Sequence, residues 1–490
     1  MKQFFTAMLI LLVAQPALCS KDYDIVSFGA LADGKTLNTK AIQSAIDRAH
    51  NDGGGRVVIP SGQFLTGTIE LKTGVELHLS KKAILLGSTN PKDYRKKIRW
   101  DALILADSAE NIRITGKGII DGQGAELALH IDSLFYVGEV DSSNYILFPE
   151  KRPMARIRPQ IIEFRRCSHV EITDVTIQNG AGWVQTYWLC YDLVIDRVRV
   201  ESDAYWNNDG IDILDCVKVR ITNCYVNASD DGICLKSYGH PNSTSFCDSV
   251  YIADCVVRSS ASAVKLGTAS YGGFKNIIIE RIKVFDTFRS AIAIESYGKG
   301  FVENVLVQDV KATNTGNAIF IRIGKRLDQM APGILKDVTI KNVHVKVPFK
   351  RPDYKYVLRG PALPFFHNTF PSSITGLPSQ KVENVTLENI TISYPGRGVK
   401  AYANLPLSRL DDVPEVEKKY PEFSMFGELP AWGFYVRHVD GLTFSNVKIK
   451  IRKPDYRPAF VFDDVQGLNL NSVEVKGDDK KEDYIYHNVK

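Results

Sequence analysis

The sequence predicts an all-β fold, a right-handed parallel β-helix formed by a single domain. Three observations support this prediction: a strand-like unit recurs along the chain, helical periodicity is confined to one short segment, and Asn or Asp residues lie near the ends of the units. Apolar and polar residues alternate within each unit, which indicates a strand, and recurrence roughly every 20–50 residues indicates stacked coils. Equivalent strands of successive coils are then expected to pair about 4.8 Å apart.

The recurring unit has the pattern apolar-x-apolar-x-x-apolar. From residue 170 onward its first positions are 23, 26, 31, 27 and 28 residues apart, and then 33, 47, 57 and 26 residues apart. The long steps predict loops inserted between strands, and such loops commonly build a wall of a binding groove. The first positions of the units are Ile112, Val170, Leu193, Val219, Val250, Ile277, Val305, Val338, Val385, Leu442 and Leu468.

Residues 1–19 have the features of a secretory signal peptide, and residues 20–490 form the predicted β-helix domain. A short basic start precedes an apolar run, Phe4 to Leu18, which is too brief to span a bilayer comfortably. We therefore expect an exported protein, periplasmic or extracellular, without a transmembrane segment. Lipidation of Cys19 is the alternative, although Leu18 is bulkier than a lipoprotein signal prefers.

Residues 20–67 are predicted to cap the open end of the solenoid. Thr39 to Ala49 form an amphipathic helix that ends at a run of glycines, residues 53–55, and no other segment shows a convincing helical pattern. The end of a stack of coils needs such a cover because terminal repeats otherwise expose their apolar faces.

The composition is that of a soluble globular protein, with 44% hydrophobic and 24% charged residues. A formal net charge of +5 gives no argument for nucleic acid binding and mildly favours a polyanionic substrate. We expect a monomer. Seven cysteines follow the predicted signal peptide, an odd number that cannot be fully paired. One-coil spacing predicts stacked, unbridged thiols, with Cys167, Cys190 and Cys216 in one stack and Cys224 with Cys247 in another.

Two acidic clusters about one coil apart are the candidate active site. They are Asn207-Asn208-Asp209-Gly210-Ile211-Asp212 and Ser229-Asp230-Asp231-Gly232, with Asp230 following Asp209 by 21 residues. A single Asp-Gly pair indicates only a turn, but adjacent like charges cost free energy unless a function uses them. Paired carboxyl groups, one protonated and one ionised, cleave glycosidic bonds. Adjacent Asp residues of an ideal strand face opposite sides, so we expect Gly210 and Gly232 to bend the chain.

At these motifs the chain resembles glycoside hydrolase family 28, which includes polygalacturonases and rhamnogalacturonan hydrolases. The resemblance extends from Phe28-Gly29-Ala30 through Gly118-Ile119-Ile120-Asp121-Gly122 to Lys265-Leu266-Gly267-Thr268. It implies that Asp230 is the general acid and that Asp209 and Asp231 position and activate water. It also implies inversion of configuration, a pectic substrate, a right-handed β-helix, and no metal or other cofactor.

Two departures from the family leave the specificity open. Ala261-Ser262-Ala263 stands where polygalacturonases have Gly-His-Gly, and Ala293-Ile294-Glu295 stands where they have Arg-Ile-Lys. Cleavage of α-galacturonosyl linkages is the first hypothesis. Hydrolysis of rhamnogalacturonan is the alternative that these departures favour, because Glu295 is expected to repel an anionic sugar. A polysaccharide lyase and a non-catalytic carbohydrate-binding β-helix remain open, as does the choice between cleavage at chain ends and within the chain.

The remaining candidates are substrate-binding residues. Strand alternation turns Lys236 and Lys265 toward the groove, with solvation as the alternative, and an aromatic ring beside the acids suits a sugar, with core packing as the alternative. An aromatic patch is expected at Trp183, Tyr187 and Trp188, and His240 is expected to be exposed. The full set predicted to bind substrate is Asn207, Trp206, Lys236, Lys265, Arg322 and Lys325.

Overall fold

The structure is a computed structural model that describes residues 21–97, 99–147, 150–239, 245–327, 329–356, 370–400, 407–477 and 482–490. The predicted signal peptide, Cys19 and His240 lie outside the described residues. The described residues are mostly strands and form a right-handed parallel β-helix, which confirms the predicted fold class. No helix among them is long and apolar enough to cross a membrane.

Each coil contributes strands to three parallel sheets, here called faces 1, 2 and 3. Face 1 contains Ile69–Glu70, Asp101–Asp107, Gln160–Arg165, Gln185–Trp188, Ile211–Leu214, Ile233–Ser237, Val264–Ser270, Ser372–Thr375 and Tyr484–His487. Face 2 contains Asp22–Asp24, Gly55–Ile59, Val75–Leu79, Glu110–Gly116, Ser168–Thr173, Tyr191–Asp196, Val217–Thr222 and Cys247–Ala253. Face 3 contains Gly62–Thr66, Ala83–Gly87, Ile119–Asp121, Thr176–Gln178, Arg199–Ser202, Tyr225–Ala228 and Val256–Ser259.

Six longer strands turn the corners between faces. They are Gly273–Ser296, Phe301–Ile323, Ile334–Lys346, Val382–Tyr394, Phe434–Ile451 and Phe460–Lys476. Three short strands lie in connections: Arg95–Lys96 pairs antiparallel with the start of Asp101–Asp107, and Tyr145–Ile146 pairs antiparallel with Arg152–Pro153.

The strand register confirms the repeat read from the sequence. On face 2, Val170 pairs with Leu193, Leu193 with Val219, and Val219 with Val250. The same alignment continues through the later units as far as Leu468. These apolar side chains face the inside of the coils, where Leu468 is partly buried and the others are buried, because alternation along each strand sends every second residue to the interior.

Helix α1, Thr39–Asn51, lies where the sequence predicts the capping helix and buries Ile42, Ala45, Ile46 and Ala49 against the first coils. A second helix, α2, spans Gly124–Tyr136, so the expectation of a single helix is wrong. The α2 sequence is apolar on more than one side, with Leu127, Ala128 and Ile131 buried and Leu129 exposed, and therefore lacks a clear amphipathic stripe.

Asn and Asp residues occupy sharp corners of the coils. Asn342, Asn389 and Asn446 have φ angles of 55°, 54° and 50°, in the left-handed region that Asn tolerates better than most residues. Their side chains form a hydrogen-bonded ladder, since the amide of Asn389 donates to Asn342 at 3.0 Å and that of Asn446 donates to Asn389 at 2.8 Å.

All seven described cysteines are buried and unbridged, as predicted. Cys167, Cys190 and Cys216 follow one another on successive coils, and the amide of Cys190 donates to the Sγ atom of Cys216 at 3.3 Å. The pairing of Cys224 with Cys247 is wrong: the register that joins Val217 to Asp248 and Thr222 to Ala253 places Cys247 on Cys216 and Cys255 on Cys224.

A segment inserted before Phe434 covers part of face 1. Residues 407–433, here called the covering segment, bring Leu410, Phe423, Met425 and Phe426 into an apolar cluster of their own. The partners on face 1 are the outward-facing side chains Ala293, Phe320, Tyr435 and Val461. The long step in the repeat therefore does build a wall on a sheet face.

Candidate active site

The predicted catalytic aspartates lie at turns that lead into two adjacent strands of face 1. Ile211 pairs with Ile233, and the amide of Gly210 donates to the carbonyl oxygen of Asp231 at 2.9 Å. Asp209 is therefore in register with Asp231, whereas the sequence spacing placed it opposite Asp230. Because Asp230 precedes the strand by one more residue, it belongs to the turn and is free of the alternation that would separate it from Asp231.

Gly210 and Gly232 allow adjacent coils to approach each other closely. A Cβ atom on Gly210 would lie 2.4 Å from Cγ1 of Val226, and one on Gly232 would lie 2.4 Å from Cγ1 of Val257. Neither glycine has a positive φ. Glycine is therefore needed at both positions because the gap between the coils leaves no room for a side chain. The bend that the sequence predicted at these glycines lies instead at Asn207, whose φ is 58°.

Asp230 is the most exposed of the three predicted catalytic aspartates and is half-buried. Its Oδ2 atom accepts a hydrogen bond from Nδ2 of Asn207 at 3.2 Å, and its Oδ1 atom accepts one from the amide of Asp231 at 3.0 Å. Burial raises the pKa of Asp230, and the charge of Asp231 raises it further. These surroundings suit a carboxyl group that holds a proton and can reach a ligand.

Asp231 is held as a carboxylate. Its Oδ2 atom lies 3.0 Å from Nζ of Lys265, and its Oδ1 atom accepts a hydrogen bond from the amide of Ser262 at 3.2 Å. Burial acts to raise the pKa of Asp231, but the charges of Lys265, Lys236 and Arg289 outweigh it and lower this pKa below its ordinary value. Ser262, which stands where polygalacturonases have histidine, contributes its backbone to the site.

Asp209 and Asp212 share one ammonium group. Nζ of Lys236 lies 2.8 Å from Oδ2 of Asp209 and also contacts Oδ1 of Asp212. Burial, opposed by the charge of Lys236, raises the pKa of Asp209 well above its ordinary value and that of Asp212 to about 6. Lys236 itself lies over the ring of Trp183, with Nζ 4.1 Å from the ring centroid. Lys236 thus fixes two buried carboxyl groups beside the Asp230–Asp231 pair.

Glu295 is buried and faces Lys265. The hydroxyl of Thr268 donates to Oε2 of Glu295 at 3.0 Å, and Nζ of Lys265 lies 3.8 Å from the same oxygen. Burial raises the pKa of Glu295 to about 7. The sequence suggested a bare carboxylate that repels an anionic sugar, but the neighbouring Lys265 compensates its charge.

The covering segment contributes an aromatic side chain to this site. The hydroxyl of Tyr420 lies 3.0 Å from Nζ of Lys265, and the residue is 41% exposed. Two guanidinium groups flank its ring, with Cζ of Arg289 at 5.2 Å and Cζ of Arg326 at 5.5 Å from the ring centroid. Arg289 and the covering segment are further joined by an ion pair of 3.0 Å between Nε of Arg289 and Oε2 of Glu422.

Arg322 and Lys325 hold the covering segment in place. Nη1 of Arg322 donates to the carbonyl oxygen of Gly376 at 2.7 Å, Nη2 donates to that of Glu415, and the guanidinium lies 5.1 Å from the ring centroid of Phe426. Nζ of Lys325 lies 2.8 Å from Oε2 of Glu417. Arg322 is buried by these contacts, so the structure gives the two cations a structural role where the sequence suggested substrate binding.

Asn207 and Trp206 lie beside the acids, as the sequence predicts. Oδ1 of Asn207 accepts hydrogen bonds from Arg152 and Arg158, each at 2.7 Å, which orients its amide toward Asp230. Trp206 is 37% exposed, and the guanidinium of Arg152 lies 5.5 Å from its ring centroid. Asn207 therefore links Arg152 and Arg158 to the half-buried carboxyl group of Asp230 through hydrogen bonds.

The predicted aromatic patch is divided between the interior and face 1. Tyr187 is buried inside the coils, whereas the strand alternation turns Trp188 outward. The guanidinium of Arg99 lies 4.0 Å from the ring centroid of Trp100 and 4.3 Å from that of Tyr238. These aromatic and arginine side chains border the site on the side away from the covering segment.

Several site residues are absent from the sequence prediction. Asp212 lies in the first predicted cluster and pairs with Cys234 on face 1. The alternation of residues along its strand could have predicted that its side chain points outward. Arg158, Arg289 and Tyr420 are distant in sequence from both clusters and carry no local signal. No group of three or more His, Cys, Asp or Glu side chains in the described part of the chain is arranged to hold a metal ion.

In this right-handed β-helix the pKa of Asp230 is raised and that of the adjacent Asp231 is lowered, an arrangement that suits acid–base cleavage of a glycosidic bond. The model of glycosyl hydrolases family 28 matches residues 51–350. The chain belongs to this family and is a glycoside hydrolase of the polygalacturonase-like type.

Known proteins similar to this chain carry related names. A probable polygalacturonase from Vitis vinifera is 26% identical over 346 residues, which are 66% of this chain and 60% of that relative. An exo-poly-alpha-D-galacturonosidase from Dickeya chrysanthemi is 24% identical over 437 residues, 76% of this chain and 71% of that relative. The crystal structure of an exopolygalacturonase from Thermotoga maritima has a TM-score of 0.59 and 21% identity, covering 76% of this chain and 87% of the other, and shares the fold.

Proposed function

We propose that the protein hydrolyses α-galacturonosyl linkages at the ends of pectic chains, with inversion of configuration at the anomeric carbon. The observation that carries the proposal is the pair of adjacent carboxyl groups of Asp230 and Asp231, whose surroundings raise the pKa of the first and lower that of the second. Glycosidic cleavage requires a carboxyl group that donates a proton and another that accepts one.

In the proposed reaction Asp230 donates its proton to the glycosidic oxygen, and the bond between this oxygen and the anomeric carbon breaks. Asp231, with Asp209 beside it, accepts a proton from a water molecule whose oxygen attacks the anomeric carbon from the opposite side. Proton exchange with solvent then restores Asp230 as the acid and Asp231 as the carboxylate. Lys265 keeps the water-activating carboxylate of Asp231 in place and Lys236 holds Asp209, each through an ion pair.

Action at chain ends is supported by the covering segment. Its apolar side chains occupy the outward face of the coils that follow Lys265, including Ala293 and Phe320. Among the described residues, the covering segment therefore occupies face 1 beyond Tyr420, and a polysaccharide lying along this face would meet it there. The names of the Dickeya and Thermotoga proteins, which refer to exo-acting enzymes, support the same mode of action.

Hydrolysis of rhamnogalacturonan is the second candidate. The observation that favours it is the presence of Ser262 and Glu295 at positions where polygalacturonases have histidine and lysine. A neutral sugar would be accepted beside Glu295 whatever its ionisation, whereas a uronate requires the charge compensation by Lys265 described above.

Product analysis tests the proposal. The purified protein and its Asp230→Asn variant are incubated with oligogalacturonates and with rhamnogalacturonan oligosaccharides, and the products are followed by chromatography and by proton NMR of the new anomeric centre. We expect saturated galacturonate, released one unit at a time as the β-anomer, and about a 100- to 10,000-fold loss of kcat in the variant. Products with an unsaturated end would show a lyase, and exclusive cleavage of rhamnogalacturonan would establish the second candidate.

A further inference from the structure

The closed end of the groove carries two cations, Arg289 and Arg326, with hydrogen-bond donors that have no acceptor among the described residues. The terminal nitrogens of Arg289 find no hydrogen-bond acceptor among the described residues, since the guanidinium contacts protein through the ion pair with Glu422 and the ring of Tyr420. The side chain of Arg289 is 13% exposed, so these nitrogens face an accessible space. Arg326 is exposed, lies 5.5 Å from the centroid of the same ring, and has no ion-pair partner in the described part of the chain.

These cations lie close to the reacting groups. The charge of Arg289 acts on both Asp230 and Asp231 and opposes the effect of burial on their pKa values. Tyr420 connects the two arginines to the site because its hydroxyl lies 3.0 Å from Nζ of Lys265, which in turn lies 3.0 Å from Oδ2 of Asp231. A ligand that bridges Arg289 and Arg326 would therefore lie beside the half-buried carboxyl of Asp230.

The chemistry of the pair selects a carboxylate. Guanidinium groups bind carboxylates through two parallel hydrogen bonds, and the face of a tyrosine ring suits a sugar. Arg158, which also lies near the site, already donates hydrogen bonds to Asn207 and to the carbonyl oxygens of Pro153 and Trp206. Within the described part of the chain, Arg289 and Arg326 both contact the ring of Tyr420 and have donors without an acceptor.

We propose that Arg289, Tyr420 and Arg326 form the site that recognises the uronate carboxylate of the sugar next to the scissile bond. This inference rests on the proposed function, since it names the part of the enzyme that selects uronic acids. It also explains how a chain with Ala293-Ile294-Glu295 binds an anionic sugar: the cations are Arg289, four residues before Ala293 on the same strand, and Arg326, and the covering segment brings the ring that both contact.

The test compares oligogalacturonates with carboxyl-reduced oligomers of the same length. We expect Arg289→Gln to raise KM and to lower kcat/KM for the oligogalacturonate about 10- to 100-fold, the effect of one lost hydrogen-bonded charge. The reduced oligomer is expected to change less than about threefold. Arg289→Lys keeps the charge without the planar fork and should restore part of the loss. Arg281→Gln, which removes a guanidinium held by Asp254, is the matched control.

Arg326→Gln is a second test in case Arg289→Gln does not fold. Arg326 is exposed, and its replacement leaves the apolar cluster intact. It should lower kcat/KM for the oligogalacturonate alone. Equal losses on both oligomers, or no loss on either, in variants with unchanged thermal unfolding would overturn the inference.

Binding separates this inference from the proposed function. Calorimetry with the Asp230→Asn protein measures affinity for a galacturonate trimer and for its carboxyl-reduced counterpart without turnover. Suppose that the parent protein cleaves neither oligomer, that Asp230→Asn binds the galacturonate trimer more tightly than its carboxyl-reduced counterpart, and that Arg289→Gln removes this preference. The proposed function then fails and the carboxylate site stands. If cleavage occurs and the preference survives Arg289→Gln and Arg326→Gln, only the carboxylate site fails.

Discussion

Asp230 and Asp231 are consecutive in the chain, yet their surroundings drive their pKa values in opposite directions. Burial and the charge of Asp231 raise the pKa of Asp230, whereas the charge of Lys265, 3.0 Å from Asp231, outweighs burial and lowers the pKa of Asp231 together with Lys236 and Arg289. The difference arises because Asp230 lies in a turn and Asp231 lies level with Asp209 on the adjacent coil. These opposite shifts are what the proposed roles of Asp230 as proton donor and Asp231 as proton acceptor require.

Replacing Asp230 by Asn should remove the proton donor while preserving the fold. We expect kcat to fall about 100- to 10,000-fold, because the amide cannot protonate the leaving oxygen. Activity assays and circular dichroism of the parent and the variant check this. Asp203→Asn, at an aspartate whose side chain is 50% exposed, is the control and should retain activity within about twofold. Comparable activity of Asp230→Asn and the parent would exclude Asp230 as the acid.

Replacing Lys265 by Met should shift the pH profile. Activity falls at low pH as Asp231 is protonated and at high pH as Asp230 loses its proton. Lys265 lowers the pKa of Asp231, so its removal should move the acid limb of kcat/KM upward by about 1 to 3 pH units. Lys275→Met, at a side chain 45% exposed, should leave the limb in place. An unmoved acid limb in Lys265→Met would mean that another group sets it.

Replacing Lys236 by Met should destabilise the protein. The substitution leaves Asp209 and Asp212 buried without their shared cation, and such a loss typically costs about 3–5 kcal/mol. Urea unfolding at pH 7 measures the free energy of unfolding. Lys218→Met, at a lysine 59% exposed, should change it by less than about 0.5 kcal/mol. Adding Asp212→Asn to Lys236→Met should recover part of the loss, and a further loss would contradict the shared-cation arrangement.

Glu295 should make stability depend on pH. Its pKa is raised from 4.5 to about 7 in the folded protein, so between these values the folded state keeps a proton that the unfolded state has released. The corresponding stabilisation is present below about pH 4.5 and is lost as pH rises through about 7, a change of about 3 kcal/mol. Unfolding of Glu295→Gln between pH 4 and 8 should lack this decline, and Glu171→Gln, at a side chain 44% exposed, should retain it. Parallel curves for the parent and Glu295→Gln would reject the assignment.

Replacing Arg322 by Met should loosen the covering segment. Its guanidinium donates to Gly376 and to Glu415 and lies against Phe426, so its loss frees the segment from face 1. We expect faster proteolysis within residues 407–433 and a product pattern that shifts from single units toward longer fragments. Lys336→Met, at a side chain 35% exposed in a surface ion pair, is the control. A product pattern unchanged despite faster proteolysis would show that the segment does not impose cleavage at chain ends.

The β-helix and its register were predictable because they rest on a local, repeated pattern. Val170, Leu193 and Val219 follow the same alternation, and each strand needs only its equivalent in the next coil to complete its hydrogen bonds. Helix α2 was missed because its apolar residues do not lie along a single stripe. The sequence predicted that the cysteines stack without forming disulfides, but the pairing of Cys224 with Cys255 became clear only from the strand register of the structure.

The sequence by itself determined the coil repeat, the capping helix and the three aspartates proposed to be catalytic, since each depends on residues within one or two coils. The tertiary structure alone decided which carboxyl faces which lysine, that Arg322 holds the covering segment, and that Tyr420 reaches Lys265 from 155 residues away. The physical reason is that a strand pattern specifies which side a residue faces, whereas ion pairs and pKa values depend on side chains brought together from distant coils and inserted loops.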